Sequence, residues 1–192
     1  MFDHRSRVAC AAHDRGVRTM MRALLLGALA LIVSACSQQQ AGRCDFTHTR
    51  EIAFSGLGAD SVTVRSFGAS CDKAIGVYEI VDGEGNPVWA WASPLQRAFG
   101  DVFTAEDPEH METFLEEWSQ PVIGRTSGAP EWAALVPGQT TLDELTYADI
   151  RARDLPMLCH FSGTARQTCV FWEPAAGGAG HLFDQDVEET VE

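Results

Sequence analysis

Positive charge is scarce in this chain. Its 192 residues include one lysine, Lys73, and only 14 Lys and Arg together, against 27 Asp and Glu. Non-specific nucleic-acid binding depends on Lys and Arg displacing phosphate counterions, so a net charge of −13 argues against it. The same balance argues against docking on anionic lipid through a basic patch. Long apolar runs are also missing. Ala23–Ala35, at 13 residues, would span ~20 Å as a helix. A bilayer core needs ~30 Å. Catalytic signatures are absent: there is no G-x-S-x-G elbow, H-E-x-x-H, P-loop or Rossmann fingerprint. Gly56 and Gly58 are followed by Ser61 where a third glycine would stand, so that pair reads as a turn. The chain therefore reads as a non-enzyme, with no cofactor and no metal. The 45% hydrophobic content nevertheless suits a folded domain.

The first 35 residues have a character of their own. Arg5, Arg7, Arg15, Arg18 and Arg22 precede the apolar run, opposed only by Asp3 and Asp14. A cationic flank, a short apolar core and small residues describe an export signal. Val33-Ser34-Ala35-Cys36 then resembles the lipobox of bacterial lipoproteins. That resemblance implies acylation of the Cys36 thiol and cleavage before it, leaving 1–35 as signal peptide. The alternative is a plain secretory signal with an incidental cysteine. Met20-Met21-Arg22 is a second start, so 1–19 is either an upstream mis-assignment or a long n-region. Ser37, in place of the Asp that favours inner-membrane retention, implies an outer-membrane lipoprotein facing the periplasm. Residues 36–43 form a short lipidated tether, and membrane contact is expected through the lipid alone.

Without residues 1–35 the chain has nine basic and 25 acidic residues, a net charge of −16. Four cysteines remain beyond the anchor: Cys44, Cys71, Cys159 and Cys169. An even number in an exported chain reads as two disulfides. Pro156–Ser162 and Thr168–Glu173 flank a polar turn. If Ser162 faces Arg166 across a three-residue turn centred on Thr164, Cys159 faces Cys169. Leu158 then faces Val170 and Met157 faces Phe171. Cys44 and Cys71 are left to pair.

Periodicity outlines the rest of a single domain over 44–183. Phe46, His48, Arg50, Ile52 and Phe54 share a face if Asp45–Phe54 is a strand. Val62 and Val64 mark a second strand, and Ala74–Val81 a third. Asp82–Pro87 is a hairpin turn into Val88–Ala92. Asp107 and Pro108 start a helix whose stripe is Met111, Phe114, Leu115 and Trp118. A capping box, Thr141-Leu-Asp-Glu144, starts a second. Pro174–Gly180 reads as a flexible loop, His181–Phe183 as a short strand, and 184–192 as an acidic disordered tail. The expected class is α+β: an antiparallel β-sheet with two short central helices, stabilised by disulfides.

Candidate chemistry is limited. His160 and Cys159 are neighbours on a strand and point to opposite faces, which disfavours a Cys–His dyad. His48, His160 and His181 all lie on sheet segments and form a composite site only if the sheets bring them together. Trp89 and Trp91 project from one face of a strand, where aromatic rings either pack the core or bind glycan or peptide. They are the candidate binding surface. Ser162-Gly163 with Val170-Phe171-Trp172 resembles a segment of the membrane-bound inhibitors of c-type lysozyme. The Tyr and Lys of that family's inhibitory segments have no counterpart; Arg166 and Glu173 lie nearby instead. The leading expectation is a non-catalytic envelope lipoprotein that binds an envelope protein or glycan, not nucleic acid. The alternative, implied by the resemblance, is an inhibitor of a basic cell-wall hydrolase.

Overall fold

Eight strands form two antiparallel four-stranded sheets rather than the one sheet expected. The computed structural model describes residues 44–56, 58–100 and 108–187. Cys36, the signal and tether, Asp107 and the last five residues of the expected tail lie outside them. The first sheet orders β1 (Phe46–Ile52), β2 (Asp60–Phe67), β3 (Ile75–Val81) and β4 (Pro87–Pro94). Next come α1 (Leu95–Phe99) and α2 (Pro108–Trp118). The second sheet orders β5 (Val122–Arg125), β6 (Pro156–Gly163), β7 (Arg166–Glu173) and β8 (Gly178–Asp186), with α3 (Glu144–Ala152) before β6. Among the described residues three α-helices thus stand where two were expected. Among the described residues no helix is long and apolar enough to cross a membrane.

Local chemistry explains the turns of the first sheet. Asp60 is 1% exposed, yet its carboxylate accepts from Phe54 N at 2.8 Å, Ser55 N at 2.6 Å and Ser55 Oγ at 2.7 Å. Those donors replace water and tie the β1–β2 connection shut. In the β3–β4 turn, Asp82 Oδ1 accepts from Glu84 N at 2.9 Å and Asn86 N at 2.8 Å. Gly85 there takes φ 89°, which a side chain would resist.

The middle of the second sheet, around β7, is covered on both faces. Leu158, Val170 and Trp172 join Val62, Val64, Tyr78, Ile80 and α2's Met111, Leu115 and Trp118 in one core. Their neighbours Cys159, Cys169 and Phe171 face the other way, onto Tyr147 and Ile150 of α3. The layers are therefore first sheet with α2, second sheet, then α3 with its flanking loops. α2 obeys its stripe: Met111, Leu115 and Trp118 are buried, while Glu109, Glu112, Glu116 and Glu117 are exposed.

Three boundaries depart from the sequence expectations. The cap of α3 is Asp143, whose side chain accepts from Thr146 N at 2.9 Å, so the cap stands two residues beyond the expected Thr141. The short strand expected at His181–Phe183 is the centre of nine-residue β8. Its end absorbs Asp184–Asp186, because Asp184 pairs with Arg166 at 2.7 Å instead of repelling its acidic neighbours in solvent. The β6–β7 turn is tighter than expected: Gly163 faces Arg166, and the register shifts between Phe161 and Gly163 around Ser162.

Beyond that bulge, Cys159 faces Cys169, Leu158 faces Val170 and Met157 faces Phe171. Disulfides join Cys159 to Cys169 and Cys44 to Cys71. The first closes a sequence separation of 10 residues. Replacing both Cys159 and Cys169 with Ala should lower the unfolding free energy by about 2.5 kcal/mol, mainly by freeing the unfolded chain. Urea unfolding of the double variant checks this; an unchanged midpoint would refute it.

A candidate binding cleft at the hairpin tip

The β6–β7 tip leans on α1. Thr164 N donates to Ala98 O at 3.2 Å, and a Cβ on Gly163 would stand 3.0 Å from that same oxygen. Glycine permits the approach, and the approach creates a cleft of about 570 Å³. One wall is the end of β4, with Trp91 and Ser93. A second is α1, with Arg97. The third is the tip itself, with Ser162, Thr164 and Arg166, and Asp186 also lines the cleft. A separate apolar cavity of about 260 Å³ lies on the other side of the tip, lined by Phe99, Phe114, Trp118 and Phe161.

The Trp91 wall is rigid. Its ring meets Trp118 edge-on at 5.6 Å, Phe99 at 6.4 Å and His160 at 6.1 Å. Trp118 is anchored in turn, because its Nε1 donates to Phe161 O at 2.8 Å. Trp89 points into the same interior, not into the cleft: its Nε1 donates to His160 Nε2 at 3.3 Å. The paired tryptophans expected as one platform thus separate into a cleft wall and a core donor. Both are half-buried, and the alternate positions Ala90 and Ala92 face solvent.

Behind the tip lies a polar chain. Arg166 donates to Asp184 Oδ2 at 2.7 Å. Thr168 Oγ1 donates to Asp184 Oδ1 at 2.7 Å and stands 2.9 Å from Ser162 Oγ. With its one proton given to the carboxylate, Thr168 accepts from Ser162. His181 Nε2 is 3.3 Å from Asp184 Oδ1. Burial pushes the Asp184 carboxyl up, but the hydrogen bonds from Arg166, Thr168 and His181 outweigh it and hold its pKa below the ordinary value. The chain orients Ser162 and fixes Arg166; Ser162 has a hydroxyl neighbour and not an imidazole.

The three sheet histidines have separate surroundings. His48 lines a cavity with Glu109, Glu112 and Glu116 of α2. His160 is 2% exposed and stacks on Tyr78 at 4.1 Å, between the sheets. His181 serves Asp184. Among the described residues no group of three or more His, Cys, Asp or Glu is placed to hold a metal ion.

Arg97 is the cleft residue that sequence reasoning missed, since a five-residue helix is too short to show a period. The usable signal was scarcity: few cations follow Cys36, so each one merits a question about its partner. Comparison with family models, curated proteins and solved structures finds no match.

Proposed function

We propose that this chain is a non-catalytic lipoprotein of the bacterial envelope, anchored through Cys36, that binds another envelope component in the cleft at the β6–β7 tip. The lipobox and the short apolar run support the anchor, and Ser37 supports an outer-membrane position facing the periplasm. The observation that carries the binding reading is the cleft, where the half-buried Trp91 lines the same recess as three hydroxyls and two arginines. An apolar ring face with a few convergent polar groups suits a saccharide.

The test uses the acylated mature protein in detergent. Titration with saccharides should change its tryptophan fluorescence, and Thr164→Trp, which fills the exposed lip of the cleft, should abolish the response. A response unaffected by Thr164→Trp would sink the reading. The second reading, inhibition of a basic hydrolase, is favoured by the exposed Thr164 and Ala165 beside Ser162-Gly163 and by the charge of −16. Inhibition of c-type lysozyme by the protein would establish it over the first.

A further inference from the structure

Arg97 stands apart from every other described arginine. Arg50 donates to Ser119, and Arg65 pairs with Glu79. Arg125 pairs with Asp154, Arg151 with Glu131, Arg153 with Glu173 and Arg166 with Asp184. Arg97 has no hydrogen bond or ion pair among the described residues, although it is exposed on a protein with 25 acids to nine bases after Cys36. The other described arginines all have partners, so Arg97 is the exception among them. What Arg97 faces instead is the cleft, whose other arginine is already committed to Asp184.

Building on the cleft reading above, we infer that the cleft takes an anionic saccharide and that Arg97 binds its acid group. The planar guanidinium offers a fork matched to two oxygens of a carboxylate or phosphate. Trp91 supplies an apolar face for the ring, and Ser93, Ser162 and Thr164 supply hydroxyls for its oxygens. Asp186 also lines the cleft and acts on Arg166, so its charge further offsets that arginine and leaves Arg97 as the seat for an acid. A protein this negative repels anions at long range, so selectivity for an acid must come from a local cation. Arg97 is the one whose donors are uncommitted among the described arginines.

The experiment titrates the acylated mature protein in detergent, at physiological salt, with trigalacturonate, maltotriose, glucose 1-phosphate and glucose. Either acidic sugar should bind at least about tenfold more tightly than its neutral counterpart, the scale of one charge-assisted pair. The trigalacturonate and glucose 1-phosphate arms separate carboxylate from phosphate as the group recognised. Arg97→Gln should bring the acid-to-neutral ratio to about one while sparing neutral binding. Arg97→Lys should restore part of the preference, and Arg65→Gln, on the outer face of the first sheet, should leave it intact. Equal binding of acidic and neutral sugars overturns the inference and leaves the cleft reading standing. A preference that survives Arg97→Gln overturns the role of Arg97. Failure of all four sugars to bind overturns both.

Discussion

Trp118→Ala should lower the unfolding free energy by about 4 kcal/mol, the scale of a large aromatic deleted from a core. Trp118 is 4% exposed and stands where α2, both sheets and α1 meet. Its ring contacts Tyr78 at 5.5 Å, Trp91 at 5.6 Å and Phe99 at 5.6 Å edge-on, and stacks on Phe114 at 5.4 Å. Its indole N–H also donates to Phe161 O, so truncation leaves a cavity and removes one of that carbonyl's two side-chain donors, the other being His160 Nδ1 at 3.0 Å. The surroundings have little freedom to collapse. Gly76 already lies so close that a Cβ there would be 3.1 Å from Trp118 Cη2 and 2.3 Å from Leu95 Cδ2. Trp118→Phe separates the contributions. It keeps most of the ring, loses the hydrogen bond, and should cost about 1 kcal/mol for that bond, since Phe161 O keeps His160 Nδ1 as a donor. Urea unfolding followed by circular dichroism checks both; a Trp118→Ala cost below about 1 kcal/mol would contradict the packing.

The same residue shows which parts of the fold were legible in sequence. The α2 stripe ends at Trp118, and a helical period names its buried face without knowing what covers it. The β6–β7 register was legible because two apolar runs around a short turn admit few alignments, and one of them opposes two cysteines. The bulge at Ser162 was not. A bulge offsets a shorter turn and leaves the register below it unchanged, so the flanking pattern carries no trace of it. The division into two sheets was hidden for a related reason. Pairing within a hairpin is local, whereas the packing of Trp172 against Phe54, at 6.3 Å, joins residues more than a hundred positions apart. β5 was missed because four residues after a proline show no period. β8 was missed in part because its first three residues, Gly178-Ala-Gly180, have little or no side chain to pattern. The cleft inherits these gaps. Trp91 was visible as an aromatic on a strand, but Arg97 and Asp186 reach the same recess only through the packing of α1 and β8 on the hairpin tip.

Acid should destabilise the protein before its carboxylates titrate, because of His160. The imidazole lies between the sheets, stacked on Tyr78. Its Nδ1 is 3.0 Å from Phe161 O and so carries the proton, while its Nε2 accepts from Trp89. Protonating Nε2 would set N–H against N–H across that 3.3 Å contact and place a charge in the core. Burial accordingly lowers the His160 pKa from 6.5 to about 4, outweighing the hydrogen bond to Phe161 and the attraction of Asp184. The sign follows from linkage. Between about 4 and 6.5 the unfolded chain binds a proton that the folded chain refuses, so stability falls as pH falls through that window. The full loss is roughly 3 kcal/mol, since each pH unit between the folded and unfolded values is worth about 1.36 kcal/mol. Carboxylates held low by their partners, Asp143, Glu173 and Asp184 among them, add their own losses at lower pH. His160→Gln can donate and accept in the same place without titrating. Its unfolding free energy should therefore stay nearly level from pH 6.5 to about 5, where the parent protein loses about half of the His160 contribution. Equal slopes for the two proteins over that interval would show that His160 titrates alike folded and unfolded, contrary to its position in the core.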